Sequence, residues 1–268
     1  MHFIKADSQN NAIKRVVNLN RRSYREKEGL FFIEGERAIK EGVNSEYDFL
    51  YMVCTKTYAE RSNLILQQFI DKKDVPVYLV EDSLMLNISD TVTSQGILAV
   101  VKKRNFSIDQ LLNKSKNNFI LIIDGISDPG NLGTVIRTAH ASNVDCVILN
   151  KGTVDIFNPK VLRSTAGSVF HIPFFYTDDI VFIIQKLKNK GVDIIASHVN
   201  GTEYPYNLDM KKPLAIVLGN EAVGVNNQVI KLADKLVKIP MPGAAESLNV
   251  AVACGIIMYE IVKQRLNS

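Results

Sequence analysis

The sequence predicts an α/β protein in two blocks, the second a mostly parallel sheet with helices on both faces. Three observations predict it. Apolar runs such as Phe119-Ile120-Leu121-Ile122-Ile123 and Leu214-Ala215-Ile216-Val217-Leu218 read as strands buried on both faces. Segments of helical period lie between such runs. A polar stretch, Asn113-Lys114-Ser115-Lys116-Asn117-Asn118, separates two alternations of this kind. The 268 residues leave room for one large or two modest domains at roughly 150 residues each. The division is placed at residues 1–105, a linker over 106–118 and a second domain over 119–268.

Taken in order, Ile13, Val16 and Val17 recur at helical spacing after the cap-like Ser8-Gln9-Asn10. Leu30-Phe31-Phe32-Ile33 reads as a short buried strand, followed by a helix over 34–41 that ends at Gly42. Residues 49–54, 77–80 and 97–101 read as strands and 59–70 as one helix, a small α/β domain. In the second block, strands are predicted over 119–123, 146–149, 192–196 and 214–218, with a short apolar piece over 236–239. Helices are predicted over 132–142, 180–190 and 247–265, the last carrying Val250, Cys254, Ile257, Met258 and Ile261 at helical spacing.

Composition excludes several classes. Hydrophobic residues at 46% and charged residues at 22% are globular values, which argues against a disordered or collagen-like chain. Cys54, Cys146 and Cys254 are odd in number and far apart, so neither a disulfide framework nor a CxxC knuckle is expected, and a reducing cytoplasm fits. No apolar run reaches the roughly 20 residues of a membrane span, and the first residues carry no signal core. His2, His140, His171 and His198 show no ligand spacing, so no metal is expected. The net charge of +4 permits an anionic partner. Lys5, Lys14, Arg15, Arg21, Arg22 and Arg25 precede Glu26 with only Asp7 against them. On charge alone a solvated helix face weighs somewhat more than a phosphate-contacting arm.

Three polar or glycine-bearing bends follow buried strands, where open parallel sheets bind ligands. The first runs from Asp124 and Gly125 through Asp128-Pro129-Gly130-Asn131-Leu132-Gly133 towards Arg137. The second is Gly219-Asn220-Glu221-Ala222-Val223-Gly224. The third is Ile239-Pro240-Met241-Pro242-Gly243, with Ser247-Leu248-Asn249 at the start of the last helix. Any one alone could be a tight turn with a capped helix; their order argues for a site. Gly125, Gly130 and Gly133 do not form GxGxxG, and no GxxxxGK[ST] loop occurs, so neither a dinucleotide site nor nucleotide hydrolysis is supported.

The pattern Asn131-x-Gly133-x-x-x-Arg137-Thr138-Ala139, then Leu218-Gly219-Asn220-Glu221-x-x-Gly224, then Ile239-Pro240-Met241 with Ser247-Leu248-Asn249-Val250-Ala251, resembles the SpoU (TrmH-type) RNA ribose 2′-O-methyltransferases of the SPOUT class. The resemblance covers about residues 119–265. More loosely, Gln9-Asn10, the basic cluster and Phe32-Ile33-Glu34-Gly35-Glu36-Arg37 are similar to that family's ribosomal-protein-like substrate-binding domain. The resemblance implies a trefoil-knotted parallel-sheet domain after a smaller α/β domain, a homodimer, and S-adenosyl-L-methionine as cofactor. It places the cofactor against Leu218, Gly219, Asn220, Gly224, Ile239, Met241 and Leu248. Side chains at Gly219 or Gly224 would block a bent cofactor, and Ile239 and Leu248 would flank the adenine.

Methyl transfer to a ribose hydroxyl is an in-line displacement at an activated sulfonium, so the protein must orient both partners and manage a proton. The resemblance makes Arg137 essential and a proposed base. Because guanidinium groups stay charged up to a pKa above about 12, holding a phosphate or stabilising the developing alkoxide is the physical alternative. Asn131 and Asn249 read as orienters, and Glu221 as a partner of the arginine or the ribose. Ser247 reads as a site residue or as the cap of the last helix. Arg163 is expected to contact RNA or to form a surface ion pair. Ribosomal RNA is the expected substrate, since minimal relatives acting on tRNA often lack the extra N-terminal domain. The competing readings are an inactive RNA-binding relative in ribosome assembly and an oxidoreductase on a conventional nucleotide fold.

Overall fold

A computed structural model describes residues 3–61, 63–113, 118–243 and 245–267. Residues 1–2 and residues 114–117 of the expected linker lie outside them. The chain forms two compact units, one comprising Met1–Arg104 with Asp155–His171, the other Asn105–Val154 with Ile172–Ser268.

The first unit begins with β1 (Phe3–Lys5), α1 (Asn11–Asn18), α2 (Arg22–Glu28), β2 (Leu30–Glu34), α3 (Glu36–Val43) and β3 (Phe49–Thr55). It continues with α4 (Lys56–Arg61), α5 (Asn63–Lys73), β4 (Val77–Val80), α6 (Asp82–Ile88) and β5 (Ile97–Lys102). Asn10 starts α1, its side chain accepting from Ala12 N, and Gly29 at φ +64° ends α2, a conformation that costs glycine little. The strands lie in the order β1-β4-β3-β5-β2; β1 and β3 run parallel to β4, while β3 and β2 are antiparallel to β5. The helix expected over 34–41 starts at Glu36, because Glu34 still pairs in β2. Over 59–70, where one helix is expected, the described residues on either side of residue 62 are helical, as α4 and α5.

The second unit opens with α7 (Ile108–Leu112), inside the expected linker. Ser107 and Gln110 form a capping box, and Ile108, Leu111 and Leu112 are buried in this unit's core with Ile122, Ile148 and Leu187. Then come β6 (Phe119–Asp124), α8 (Pro129–Ala141) and β7 (Cys146–Asn150). The following helix, α9 (Pro159–Thr165), belongs to the first unit. The second unit resumes with β8 (Phe174–Thr177), α10 (Ile180–Asn189), β9 (Asp193–Ser197), β10 (Leu214–Gly219), α11 (Asn227–Leu232), β11 (Lys235–Val237) and α12 (Val250–Leu266). Its sheet is parallel throughout, in the order β11-β9-β10-β6-β7-β8. From β6 the chain steps outward to β7 and β8, then crosses to β9 and returns to β10, so the strand order switches between β6 and β10. Those two strands pair residue for residue up to Gly219 opposite Asp124, which aligns their carboxyl ends.

Arg25 is not a phosphate contact. It is 2% exposed, its Nε and Nη2 donating to Asp155 Oδ2 at 2.9 and 2.5 Å and its Nη1 to the Leu19 and Asn20 carbonyls. Asp155 Oδ1 accepts from Phe157 N at 3.0 Å. This pair anchors the returning segment, whose Phe157 packs on Phe31 and whose Phe170 packs on Tyr47 and Phe49. Removing either partner would leave a buried charge alone, at a cost of about 3–5 kcal/mol. Arg22 pairs with Glu26 one turn on, and Arg163 pairs with Asp90, the ion-pair alternative for that residue. Lys14 and Arg21 are exposed without an ion pair among the described residues.

The three cysteines are free and buried, and burial pushes the Cys54 and Cys146 thiols up to about 12. No described helix is long and apolar enough to cross a membrane.

Candidate active site

The three bends meet at the carboxyl edge of the parallel sheet through side-chain hydrogen bonds. Asp128 caps α8, its Oδ1 accepting from Asn131 N at 2.7 Å, with Pro129 in the first turn. This fixes Asn131 on the first turn of α8. Glu221, on the second bend, then clamps the first. Its Oε2 accepts from Ser127 N and Oγ at 3.1 and 3.0 Å, and its Oε1 accepts from Asp128 N at 3.1 Å and Asn131 Nδ2 at 3.0 Å.

The third bend joins through Asn249, the N-cap of α12. Asn249 Oδ1 accepts from Ala251 N and Val252 N, so its amide nitrogen must point away from the helix. It donates to Asn131 Oδ1 at 2.9 Å, which leaves Asn131 Nδ2 to donate to Glu221. The helix cap thus sets the direction of the whole chain of bonds, and Asn131 is its shared middle. Asn249 caps the last helix, not Ser247, so the capping alternative for Ser247 does not hold; Ser247 is exposed just before it.

Asn220 provides a second tie. Its Nδ2 donates to Gly125 O at 2.8 Å while its Oδ1 accepts from Ala222 N and Val223 N, and its backbone bridges Gly224. Gly219 has no room for a side chain: a Cβ would stand 2.1 Å from Gly224 C and Val225 N. The bend's own returning chain fills that space. Gly224 has open space around a Cβ but φ +73°, so its requirement is conformational.

Leu218 is buried at the end of β10, Ile239 and Met241 are half-buried, and Leu248 is 38% exposed. Among the described residues no protein acceptor faces the N–H groups of Ile239, Met241 and Leu248. Among the described residues, these three N–H groups of the third bend are unpartnered beside apolar side chains. Arg137 lies on α8 six residues beyond Asn131, exposed, its side chain without a hydrogen bond or ion pair among the described residues. The helix bearing it packs on α12, where Gly255 faces Thr138.

Four supporting residues carry no motif that sequence reasoning could weigh. Asp124, 7% exposed, accepts from Asn150 Nδ2 at 2.7 Å and from Asn226 N at 2.8 Å. Asn226 in turn caps α11, and Thr153 Oγ1 accepts from Gly125 N and donates to Ile123 O. Asp124 and Asn150 end their strands, which was the available signal; Thr153 and Asn226 lie in loops, and the pairings depend on sheet register. Among the described residues no cluster of His, Cys, Asp or Glu could hold a metal ion.

A parallel sheet with three jointed, donor-bearing bends at its carboxyl edge defines an α/β ligand-binding domain. Residues 118–259 match the SpoU rRNA Methylase family, and residues 10–99 match the MRM3-like substrate binding domain. The chain is 32% identical over 255 residues, covering 95% of it and 97% of its relative, to the 23S rRNA (guanosine(2553)-2′-O)-methyltransferase RlmP of Bacillus subtilis. The AdoMet-bound rRNA methyltransferase from Sinorhizobium meliloti has a similar structure, with TM-score 0.85, 27% identity, and coverage of 97% of this chain and 98% of that one. The SpoU methyltransferase AviRb from Streptomyces viridochromogenes shares the fold at TM-score 0.86 and 23% identity, over 96% of this chain and 98% of that one. The chain belongs to the SpoU rRNA methylase family.

Partial burial acts to raise the Glu221 carboxyl, but the hydrogen bonds from Asn131 and from the backbone at Glu221, Ser127 and Asp128 outweigh it and hold it at about 2. A depressed folded-state value stabilises above the ordinary value of 4.5 and is lost as pH falls through about 2. Glu221→Gln is therefore expected to melt below wild type at pH 7, with a gap that stays constant down to about pH 5 and closes between 4.5 and about 2. Thermal melts across that range check this; a gap independent of pH would contradict the charged clamp.

Proposed function

We propose that this chain transfers the methyl group of S-adenosylmethionine to a ribose 2′-hydroxyl of ribosomal RNA. The observation that carries the proposal is the Glu221–Asn131–Asn249 chain of hydrogen bonds. It unites the three bends in a protein 32% identical to a named 23S rRNA ribose methyltransferase. The S. meliloti neighbour, named as AdoMet-bound, supports the cofactor, and the N-terminal match to a substrate-binding domain supports RNA.

The residues present suit that cofactor. The open N–H groups of Ile239, Met241 and Leu248 can meet the edge of a purine, with the Ile239 and Leu248 side chains against its faces. Leu218, Gly219, Asn220 and Gly224 would form the backbone wall beside it. When bound, the sulfonium supplies an activated methyl group. Arg137 would sit at the acceptor sugar, where a charged guanidinium stabilises a developing alkoxide or holds the neighbouring phosphate. Glu221 is a poor base, because its carboxylate is held at about 2 and is already bonded to four donors. Its part is to keep Asn131 and the first bend in place. Ser247, exposed next to the cofactor wall, would line the acceptor side.

The trefoil knot of the family is proposed for the segment from β10 to α12, supported by the third bend's bond to the first. A cytoplasmic location suits three buried free thiols and a ribosomal RNA substrate. A homodimer is proposed through α12. One face of this helix is buried through Cys254, Ile257, Met258 and Ile261, yet Val252, Ile256 and Tyr259 on another are 52%, 44% and 52% exposed. Such a stripe fits a partner copy. Light scattering is expected to give twice the 29.9 kDa chain mass, and Ile256→Glu to lower it to one chain; a monomeric wild type would refute the dimer.

The activity is tested with tritiated S-adenosylmethionine and 23S rRNA. Label is expected in alkali-resistant dinucleotides, since a 2′-O-methyl group blocks alkaline cleavage. Arg137→Ala is expected to lower kcat by about 100–1,000-fold while S-adenosylhomocysteine affinity stays within about threefold. A wild-type protein that labels no ribosomal RNA would overturn the proposal.

A further inference from the structure

The first unit holds an open cleft of about 470 Å³, lined by Asn11 and Arg15 of α1 and by Tyr51, Pro76 and Tyr78 at the starts of β3 and β4. That volume lies within the roughly 300–1,000 Å³ of small-ligand clefts. The cleft is lined by no carboxylate. Its residues fall into two kinds. Tyr51 is structural: it is 3% exposed, its hydroxyl donates to Ala12 O at 2.7 Å, and it packs edge-on to Tyr78 with ring centroids 5.4 Å apart. Arg15 is different. Its guanidinium hydrogen-bonds to the Tyr51 hydroxyl, while its Nε is buried without a hydrogen-bond partner among the described residues. A buried N–H without an acceptor is unfavourable unless something absent from the free chain supplies one. Tyr78 is half-buried and Pro76 beside it is apolar, so a flat ring entering the cleft meets an aromatic and an apolar wall.

A cation with one N–H still lacking an acceptor, a partly open aromatic ring and no negative charge on the lining are the components of a nucleotide site. Lys14 lies one residue before Arg15 and is exposed without an ion pair among the described residues. It can meet the phosphate on the next nucleotide. Burial keeps the Tyr51 phenol neutral, so its hydrogen bond to Arg15 leaves the guanidinium charge uncompensated for an incoming anion.

We infer that this cleft binds one unpaired nucleotide of the RNA substrate, its base against Tyr78 and an acceptor oxygen on Arg15. The inference rests on the RNA reading above and adds a site to it.

The test uses the full-length protein and a radiolabelled 23S rRNA transcript, with filter-binding titrations at several salt concentrations and ultraviolet cross-linking mapped by mass spectrometry. Arg15→Met keeps the aliphatic stem and is expected to weaken binding about tenfold and lower the log–log salt slope by about one. Tyr78→Leu is expected to weaken binding at unchanged slope, and Tyr78→Phe to bind as wild type. RNA-linked peptides are expected at Tyr51 or Tyr78 in the unaltered protein, which needs no variant to fold. Calorimetry with S-adenosylhomocysteine, unchanged in all three variants, reports that they are folded. If the wild type binds and methylates the transcript while Arg15→Met shows the same affinity and slope, the cleft assignment is wrong and the function stands. A wild type that binds no RNA overturns both.

Discussion

The Glu221 carboxylate is the contact on which the site depends. It lies two residues past the end of the strand that pairs in register with the strand preceding the first bend, and it takes hydrogen bonds from Ser127, Asp128 and Asn131 across that junction. A carboxylate receiving this many donors is worth more as a fixed point than as a proton carrier. Asn131 then passes the constraint to Asn249, whose carbonyl oxygen is already committed to capping α12. No amide in this chain can flip without breaking a bond at its other end. Three loops are tied into one preorganised edge, the condition for catalysis by orientation.

The parallel sheet makes that arrangement possible. Strands β6 and β10 are buried on both faces and share a register that ends at Asp124 and Gly219. Asp124 extends the control outward, holding β7 through Asn150 and the start of α11 through Asn226. In the first unit a buried ion pair has the corresponding role. Arg25 and Asp155 fix a segment that returns from far along the chain, and aromatic packing of Phe157 and Phe170 completes the seam.

Much of this was legible in the sequence because it rests on local signals. The continuous apolar runs marked β6 and β10, and glycine, asparagine and glutamate directly after them marked the bends. Short β1 and β8 carry too few residues for a period to show, and α7 looked like linker because its apolar residues are few. Arg25 was misplaced because composition shows charge but not depth, and its partner lies 130 residues away. Ser247 and Asn249 are both good caps two residues apart, and only the helix start at Val250 distinguishes them. Gly219 was read as making room for a cofactor, whereas the space a side chain would take is filled by its own chain, a fact that only the folded bend reveals.

The central claim is that the three bends act as one cofactor site because of this side-chain chain. Calorimetric titration of S-adenosylhomocysteine into wild-type and Asn249→Asp protein tests it most directly. Aspartate at 249 keeps the oxygens that cap α12 but removes the amide that donates to Asn131 and adds charge beside Glu221. The account predicts one molecule bound per chain in the wild type and an affinity at least about tenfold lower in the variant, the cost of one bond in such a network. Equal affinities would contradict it.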